Sequence, residues 1–209
     1  MSYIITAYKV LEKGKVEICL DDKFSFQLYK GEARKLSLKE EMELSEEQYA
    51  YILYEILAKR AIRRAMHLLE RQERTEYQLR EKLLQNAYPQ EAVEEAVSYV
   101  KRYHYLDDVR YAHTYVRYHQ EKKSRMRLKT DLMRKGIAKD VIDNALDDEY
   151  VNDEREQIRN LLEKKKFTPE TADTAEFRKI YQFLQRRGFK SSDILSVMKN
   201  KDMLYDLGC

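Results

Sequence analysis

Apolar and polar positions alternate near the amino terminus. Val16, Ile18 and Leu20 form one run with a period of two, and Phe24, Phe26 and Leu28 form another. Asp21, Asp22 and Lys23 separate them, which predicts two strands joined by a turn. Ile4 to Val10 adds a third strand, with Gly14 in the turn that precedes the Val16 run. From residue 45 onward the period changes. Ser45 to Gln48 is a capping box, in which the serine oxygen and the glutamine side chain satisfy amides of a first helical turn. Tyr49, Ile52, Leu53, Ile56 and Leu57 then share one face of a helix that runs to about Arg71. Thr75 to Gln78 is a second capping box, followed by Leu79 and Leu83 on one face.

The helical pattern repeats. The stretch beginning at Gln78 (QLREKLLQNAYPQEAVEEAV) returns after 49 residues as RLKTDLMRKGIAKDVIDNAL from Arg127. It returns after a further 52 as KIYQFLQRRGFKSSDILSVM from Lys179. Five apolar columns match: Leu79, Leu128 and Ile180; Leu83, Leu132 and Leu184; Tyr88, Ile137 and Phe189; Val93, Ile142 and Ile194; Val97, Leu146 and Met198. Gly136 and Gly188 follow the first helix of copies two and three, where a residue able to take positive φ ends a helix. In the first copy Ala87 holds that position, and Asn86 beside it is expected to supply the left-handed turn. Each copy follows another amphipathic stretch, at Ala61–Leu69, Val109–Tyr118 and Glu154–Leu162. The expected fold is therefore mainly α. Tandem three-helix repeats form an elongated, curved array behind a small N-terminal β element. The expected segments are 1–58 (β element and start of the long helix), 59–107, 108–150 and 151–209.

Composition fits this picture. Charged residues make up 37% of the 209, while Gly (5) and Pro (2) are scarce, as in long helices with much exposed surface. The net charge of +3 does not by itself announce a nucleic-acid binder. Its distribution is uneven: residues 1–58 hold 8 basic and 11 acidic side chains, a balance of −3, and each later segment is near +2. Cys19 and Cys209 have neither metal spacing nor a disulfide framework. Without a signal-like start or a long apolar run, a cytoplasmic protein with no membrane partner is expected.

Signals for catalysis are weak. The five glycines are isolated, so no phosphate loop is formed, and no nucleophile–base set can be named. His113 and His119 are six residues apart, a poor spacing for metal on one helix face. No enzyme activity, cofactor or metal is expected. Asp107 and Asp108 read as carboxylates at a helix start, favoured by the positive end of the dipole. The tyrosines between Tyr99 and Tyr118 read as packing residues. The strongest electrostatic feature is the segment 122–135, with seven basic side chains against Asp131 alone, a balance of +6. Leu128 and Leu132 point inward in the repeat pattern, which places Lys122, Arg125 and Lys129 outside. Such a patch attracts phosphates or an acidic protein surface. Arg186 and Arg187 match Arg134 and Lys135 in the repeat, so the clusters could form a discontinuous stripe.

These residues resemble a known family. Tyr105-Leu106-Asp107-Asp108-Val109-Arg110-Tyr111-Ala112 is similar to the YLDD-x-R-[FY]-A segment of the RecX proteins, bacterial modulators of the RecA recombinase. Arg134 to Ile137, Arg186 to Phe189, and the Ala-x3-Ala and Leu-Leu-x-Arg patterns between Ala61 and Leu83 are similar too. The resemblance covers about residues 60–200. It departs at Ala87, where the other two copies have glycine, and at Ser124, where many members carry glycine before the basic helix, and it leaves residues 1–58 unmatched. It implies tandem three-helix repeats and a monomer that binds RecA filaments. Such a protein restrains filament growth and reduces strand exchange and RecA's own ATP hydrolysis. The residues expected to meet the nucleoprotein are Lys122, Lys123, Arg125, Arg127, Lys129, Lys135, Arg186 and Arg187. Single- or double-stranded DNA is a further expected partner. The alternatives are a stand-alone helical DNA-binding protein and a protein-only scaffold.

Overall fold

The computed structural model describes residues 2–169 and 171–198. The chain divides into two compact units, with the boundary between Asp107 and Asp108.

The first unit opens with β1 (Ser2–Val10), β2 (Lys15–Leu20) and β3 (Phe24–Tyr29). A short helix α1 (Lys30–Lys35) and strand β4 (Glu43–Ser45) follow. The antiparallel sheet has the order β3-β2-β1-β4, with a register shift in β1 between Ile5 and Ala7. The β2–β3 pairing puts Val16 opposite Leu28, Ile18 opposite Phe26 and Leu20 opposite Phe24. The two alternating runs therefore bury the same sheet face. Asp21 and Asp22 both take positive φ, as a tight hairpin turn demands. The pattern did not predict β4 or α1. Three residues in β4 are too few to show a period, and α1 buries only Ala33.

Helix α2 (Glu46–Ala50) starts at the Ser45 capping box, with Gln48 N–H donating to Ser45 Oγ at 3.2 Å. A π-helical stretch, Tyr51–Ala58, continues directly into α3 (Lys59–Arg71). The expected single helix is thus continuous, but its first part is wound wider. The buried residues show why this matters. Ile52 and Leu57 are five apart, as are Leu53 and Ala58, which suits the i→i+5 pattern of a π-helix. Ala61, Ala65 and Leu68 then return to ordinary helical spacing. Helices α4 (Glu76–Gln85) and α5 (Gln90–Arg102) complete the unit. Sheet and helices share one core, from Ile5 through Ile52 and Leu79 to Leu106. The sheet buries its apolar face on the helices and is not an independent body.

The second unit holds α6 (Asp108–His119), α7 (Arg125–Arg134) and α8 (Lys139–Glu149) around one cluster. Helices α9 (Glu154–Lys164), α10 (Thr174–Gln185) and α11 (Ser191–Met198) surround another. All five repeat columns carry core residues. Fourteen of the fifteen side chains are buried, and Tyr88 is half-buried against the core. Each fully buried Leu, Ile or Val contributes about 1.5–3 kcal/mol relative to exposure. Asp108 opens α6, and Asp107 precedes it. Among the described residues, no helix is long and apolar enough to cross a membrane. Cys209 lies outside the described residues.

The same turn closes the middle helix of each repeat. The N–H groups of Ala87, Gly136 and Gly188 donate to the carbonyls of Leu84, Met133 and Gln185. The next residues, Tyr88, Ile137 and Phe189, donate to Leu83, Leu132 and Leu184. This pair of bonds is the Schellman termination, and the aromatic or aliphatic residue then folds back onto the helix end. The turn residues have φ of 59°, 81° and 84°. The first copy corrects the expectation for Asn86, which keeps φ at −88°. Ala87 takes the left-handed conformation itself. Asn86 is held by Arg64, whose Nε donates to Asn86 Oδ1 at 2.9 Å.

Candidate functional site

The basic segment is built around the start of α7. Ser124 is fully buried and caps the helix, accepting from Arg127 N–H at 3.2 Å. Its own N–H donates to the carbonyl of Arg187 at 3.1 Å. The turn after α10 is thereby pinned to the start of α7. Gly188 is the close-contact point: a Cβ there would lie 2.7 Å from Ser124 Oγ and 2.7 Å from Arg127 Cβ. Two basic segments some sixty residues apart in sequence thus meet within one unit. Serine at 124 performs a capping role that glycine performs less well.

The structure changes the meaning of the +6 segment. Lys123 Nζ donates to Asp131 Oδ2 and to Tyr115 Oη, each at 2.8 Å. Arg127 Nε lies 3.1 Å from Asp131 Oδ1. Lys129 pairs with Asp143, and Arg125 pairs with Asp147 while also donating to the Leu146 carbonyl at 2.9 Å. Four of the seven basic side chains are therefore matched by carboxylates. Two of those carboxylates, Asp143 and Asp147, come from α8, outside the segment. Arg125 and Lys129 lie outside the core but are not free of partners. Both reach across to α8, because helices packed side by side bring their charged flanks into register. Burial opposes ionisation of Asp131, but the Lys123 hydrogen bond and the Lys123 and Arg127 charges hold its carboxyl below the usual range. The same contacts raise Lys123 against its own burial.

Three expected residues keep an uncompensated charge. Lys122 and Arg186 are exposed, Arg187 is half-buried, and none has a carboxylate partner among the described residues. Arg187 lies 3.7 Å over the Phe183 ring. Burial, reinforced by the Arg186 charge, pulls its guanidinium below its usual value. Lys135 lies 5.4 Å and 5.3 Å from the ring centres of Tyr111 and Tyr115. Those rings stack at 6.2 Å, and Tyr115 meets the His119 ring at 4.3 Å. Tyr111 and Tyr115 pack against the core, as expected, whereas Tyr103, Tyr105 and Tyr118 are exposed.

A further charged network closes the end of α8, between residues too far apart in sequence to show a spacing. Glu149, at the end of α8, accepts from Arg117 Nε at 3.0 Å and faces His113 Nδ1 at 3.2 Å. The Arg117 hydrogen bond, helped by His113, lowers the Glu149 carboxyl to about 2. His113 thus takes part in a hydrogen-bonded network around Glu149. No group of three or more potential metal ligands occurs among the described residues.

Comparison with known proteins places these elements. Residues 61–99, 107–146 and 153–198 match the family models of the first, second and third three-helix domains of RecX. The regulatory protein RecX of Caldanaerobacter subterraneus is 33% identical over 185 residues, 88% of this chain and 91% of that protein. The regulatory protein RecX of Clostridium botulinum (strain Alaska E43) is 27% identical, covering 93% and 94%. A crystal structure of regulatory protein RecX superposes with a TM-score of 0.55 at 25% identity, covering 95% of this chain and all of that one. RecX from Lactobacillus salivarius shares the fold, with a TM-score of 0.51 at 22% identity over 70% and 97%. With three domain matches in order and a relative aligned over nearly its whole length, the chain belongs to the RecX family of regulatory proteins.

Proposed function

We propose that this chain binds RecA nucleoprotein filaments and restrains their growth, reducing ATP hydrolysis and strand exchange. The observation that carries the reading is the full set of three RecX domains in order, on a chain that spans most of its relatives' length. In this role the chain needs no chemistry of its own, and the hydrolysed ATP is RecA's. The protein would act in the cytoplasm as a monomer.

Within the proposed contact surface the roles differ. Lys122, Arg186 and Arg187 supply net positive charge, because no carboxylate offsets them among the described residues. Lys123, Arg125, Arg127 and Lys129 hold α7 in place through ion pairs and can give only part of their charge to a partner. Lys135 is half-buried, with its Nζ over the Tyr111 and Tyr115 rings. Steering by such a cluster falls with ionic strength.

The test is single-stranded-DNA-dependent ATP hydrolysis by the cognate RecA, titrated with this protein. Inhibition at far less than one copy per RecA supports action on the filament. No effect at excess of folded protein overturns the reading. The double variant Lys122→Glu/Arg186→Glu should weaken inhibition with helicity intact. Normal inhibition by that variant would remove this surface from the contact.

A further inference from the structure

Two further cations, Lys15 and Arg64, have no carboxylate partner among the described residues of the first unit. Lys15, Gln27, Arg64, Gln85, Asn86 and Tyr88 line an open cavity of about 400 Å³. They come from four places: β2, β3, α3 and the end of α4 with the turn after it. Both cations are held in position by neutral amides. Lys15 Nζ donates to Gln27 Oε1 at 3.3 Å, and Arg64 Nε donates to Asn86 Oδ1 at 2.9 Å. No carboxylate lines the cavity. This is the reverse of α7, where each oriented cation meets an acid. An amide carbonyl fixes a cation's direction without cancelling its charge, so both keep their attraction for an anion.

The neighbours add to the field. Burial pushes the Tyr88 phenol up, and the charges of Arg60, Arg64 and Arg63 oppose that rise. Of these, Arg60 is spoken for by Glu32 and by the Gln27 carbonyl. Arg63 is exposed and has no acidic partner among the described residues. Arg64 uses its Nε for Asn86, which leaves its terminal N–H groups for another acceptor. The turn itself is fixed by the Ala87 and Tyr88 backbone bonds to α4.

We propose that this cavity is a phosphate-binding site that takes a backbone phosphate of nucleic acid. A phosphate is tetrahedral and presents acceptors in several directions. Donors from four surrounding segments suit it better than they suit a planar carboxylate, which one guanidinium fork satisfies from one side. The cavity is open, as a chain passing through it requires, and Tyr88 offers a phenol beside the anion. The site deepens the proposed function and rests on it for its biological setting, since a nucleoprotein filament carries DNA. The chemistry needs no RecA.

The experiment therefore omits RecA. A short fluorescein-labelled oligothymidylate is titrated with the full chain and followed by anisotropy at several salt concentrations. The variants are Lys15→Gln/Arg64→Gln and, separately, Arg63→Glu, whose side chain holds no partner that folding needs. Thermal melts check that each variant folds. We expect affinity to fall about tenfold at low salt and the salt slope to fall by about one in the double variant. In the wild-type protein, the oligonucleotide should shift the amide resonances of Asn86, Ala87 and Tyr88. Three results would overturn the site: no binding by the wild-type chain, unchanged affinity and slope in both sets of variants, or the same resonances moving with an oligoglutamate peptide and not with DNA. Binding lost here while RecA inhibition persists would remove the site and leave the proposed function standing. The converse, DNA binding intact with no effect on RecA, would do the opposite.

Discussion

Gly188→Ala probes the junction that assembles the second unit's basic cluster. Two costs arise. The backbone at 188 has φ of 84°, where an L-residue pays about 1–2 kcal/mol. The new methyl would also sit 2.7 Å from Arg127 Cβ, 2.7 Å from Ser124 Oγ and 3.1 Å from the Arg127 backbone nitrogen. The nearest atoms belong to the first turn of α7 and not to the tip of a flexible chain, so relief requires one segment to move. Overpacking of that kind costs about 1–3 kcal/mol. Glycine's greater freedom in the unfolded chain offsets about 0.5–1 kcal/mol. The net loss is about 2–4 kcal/mol, which for a chain of this size lowers the melting temperature on the order of 10 °C. Circular dichroism at the helix band measures it. The amides of Ser124 and Arg127 should be the first to lose hydrogen-exchange protection, because the Ser124 bond to the Arg187 carbonyl is the contact being forced apart. A melt within about 1 °C of wild type, with those amides still protected, would refute the claim that this turn is clamped to α7.

The equivalent turn in the first repeat gives the opposite sign. Ala87→Gly relieves left-handed strain at φ of 59° and should be neutral to stabilising by up to about 1 kcal/mol, read in the same melts. Destabilisation beyond about 1 kcal/mol would show that the Ala87 methyl makes a contact worth more than the strain. The Glu149 network predicts a pH dependence. The Glu149 carboxyl is held at about 2 against an ordinary 4.5, so its folded pKa is depressed. Its contribution to stability is complete above pH 4.5 and is lost as pH falls from there toward about 2. Carboxyl titration by NMR should find Glu149 near the bottom of the carboxylate range and Arg117→Ala should return it toward the ordinary value. An unshifted titration in that variant would mean Arg117 is not the cause.

Local pattern determined the elements of this protein. Alternation of Val16, Ile18 and Leu20 with a tight turn specified a hairpin, since a pleated strand can bury only every second residue. The capping boxes at Ser45 and Thr75 fixed helix starts to the residue, because side chain and amide lie within three positions of each other. The five repeat columns specified three copies of one helical unit, for its interior admits apolar side chains at the same places each time. The YLDD segment and the glycine turns carried the family. These are statements about neighbours in sequence, and sequence holds them.

Tertiary structure decided the charges. From the sequence, residues 122–135 are the most basic surface in the chain. In the fold, Asp143 and Asp147 of α8 answer Lys129 and Arg125, and Asp131 serves both Lys123 and Arg127. The field at a surface is a sum over neighbours in space, and a linear count omits those brought in by packing. The same reason hid the first unit's cavity. Lys15 and Arg64 are 49 positions apart, yet the sheet and α3 set them around one space with only amides to hold them. The π-helical winding after Ala50 and the Ser124–Arg187 bond likewise depend on what each segment meets, which only the folded chain supplies.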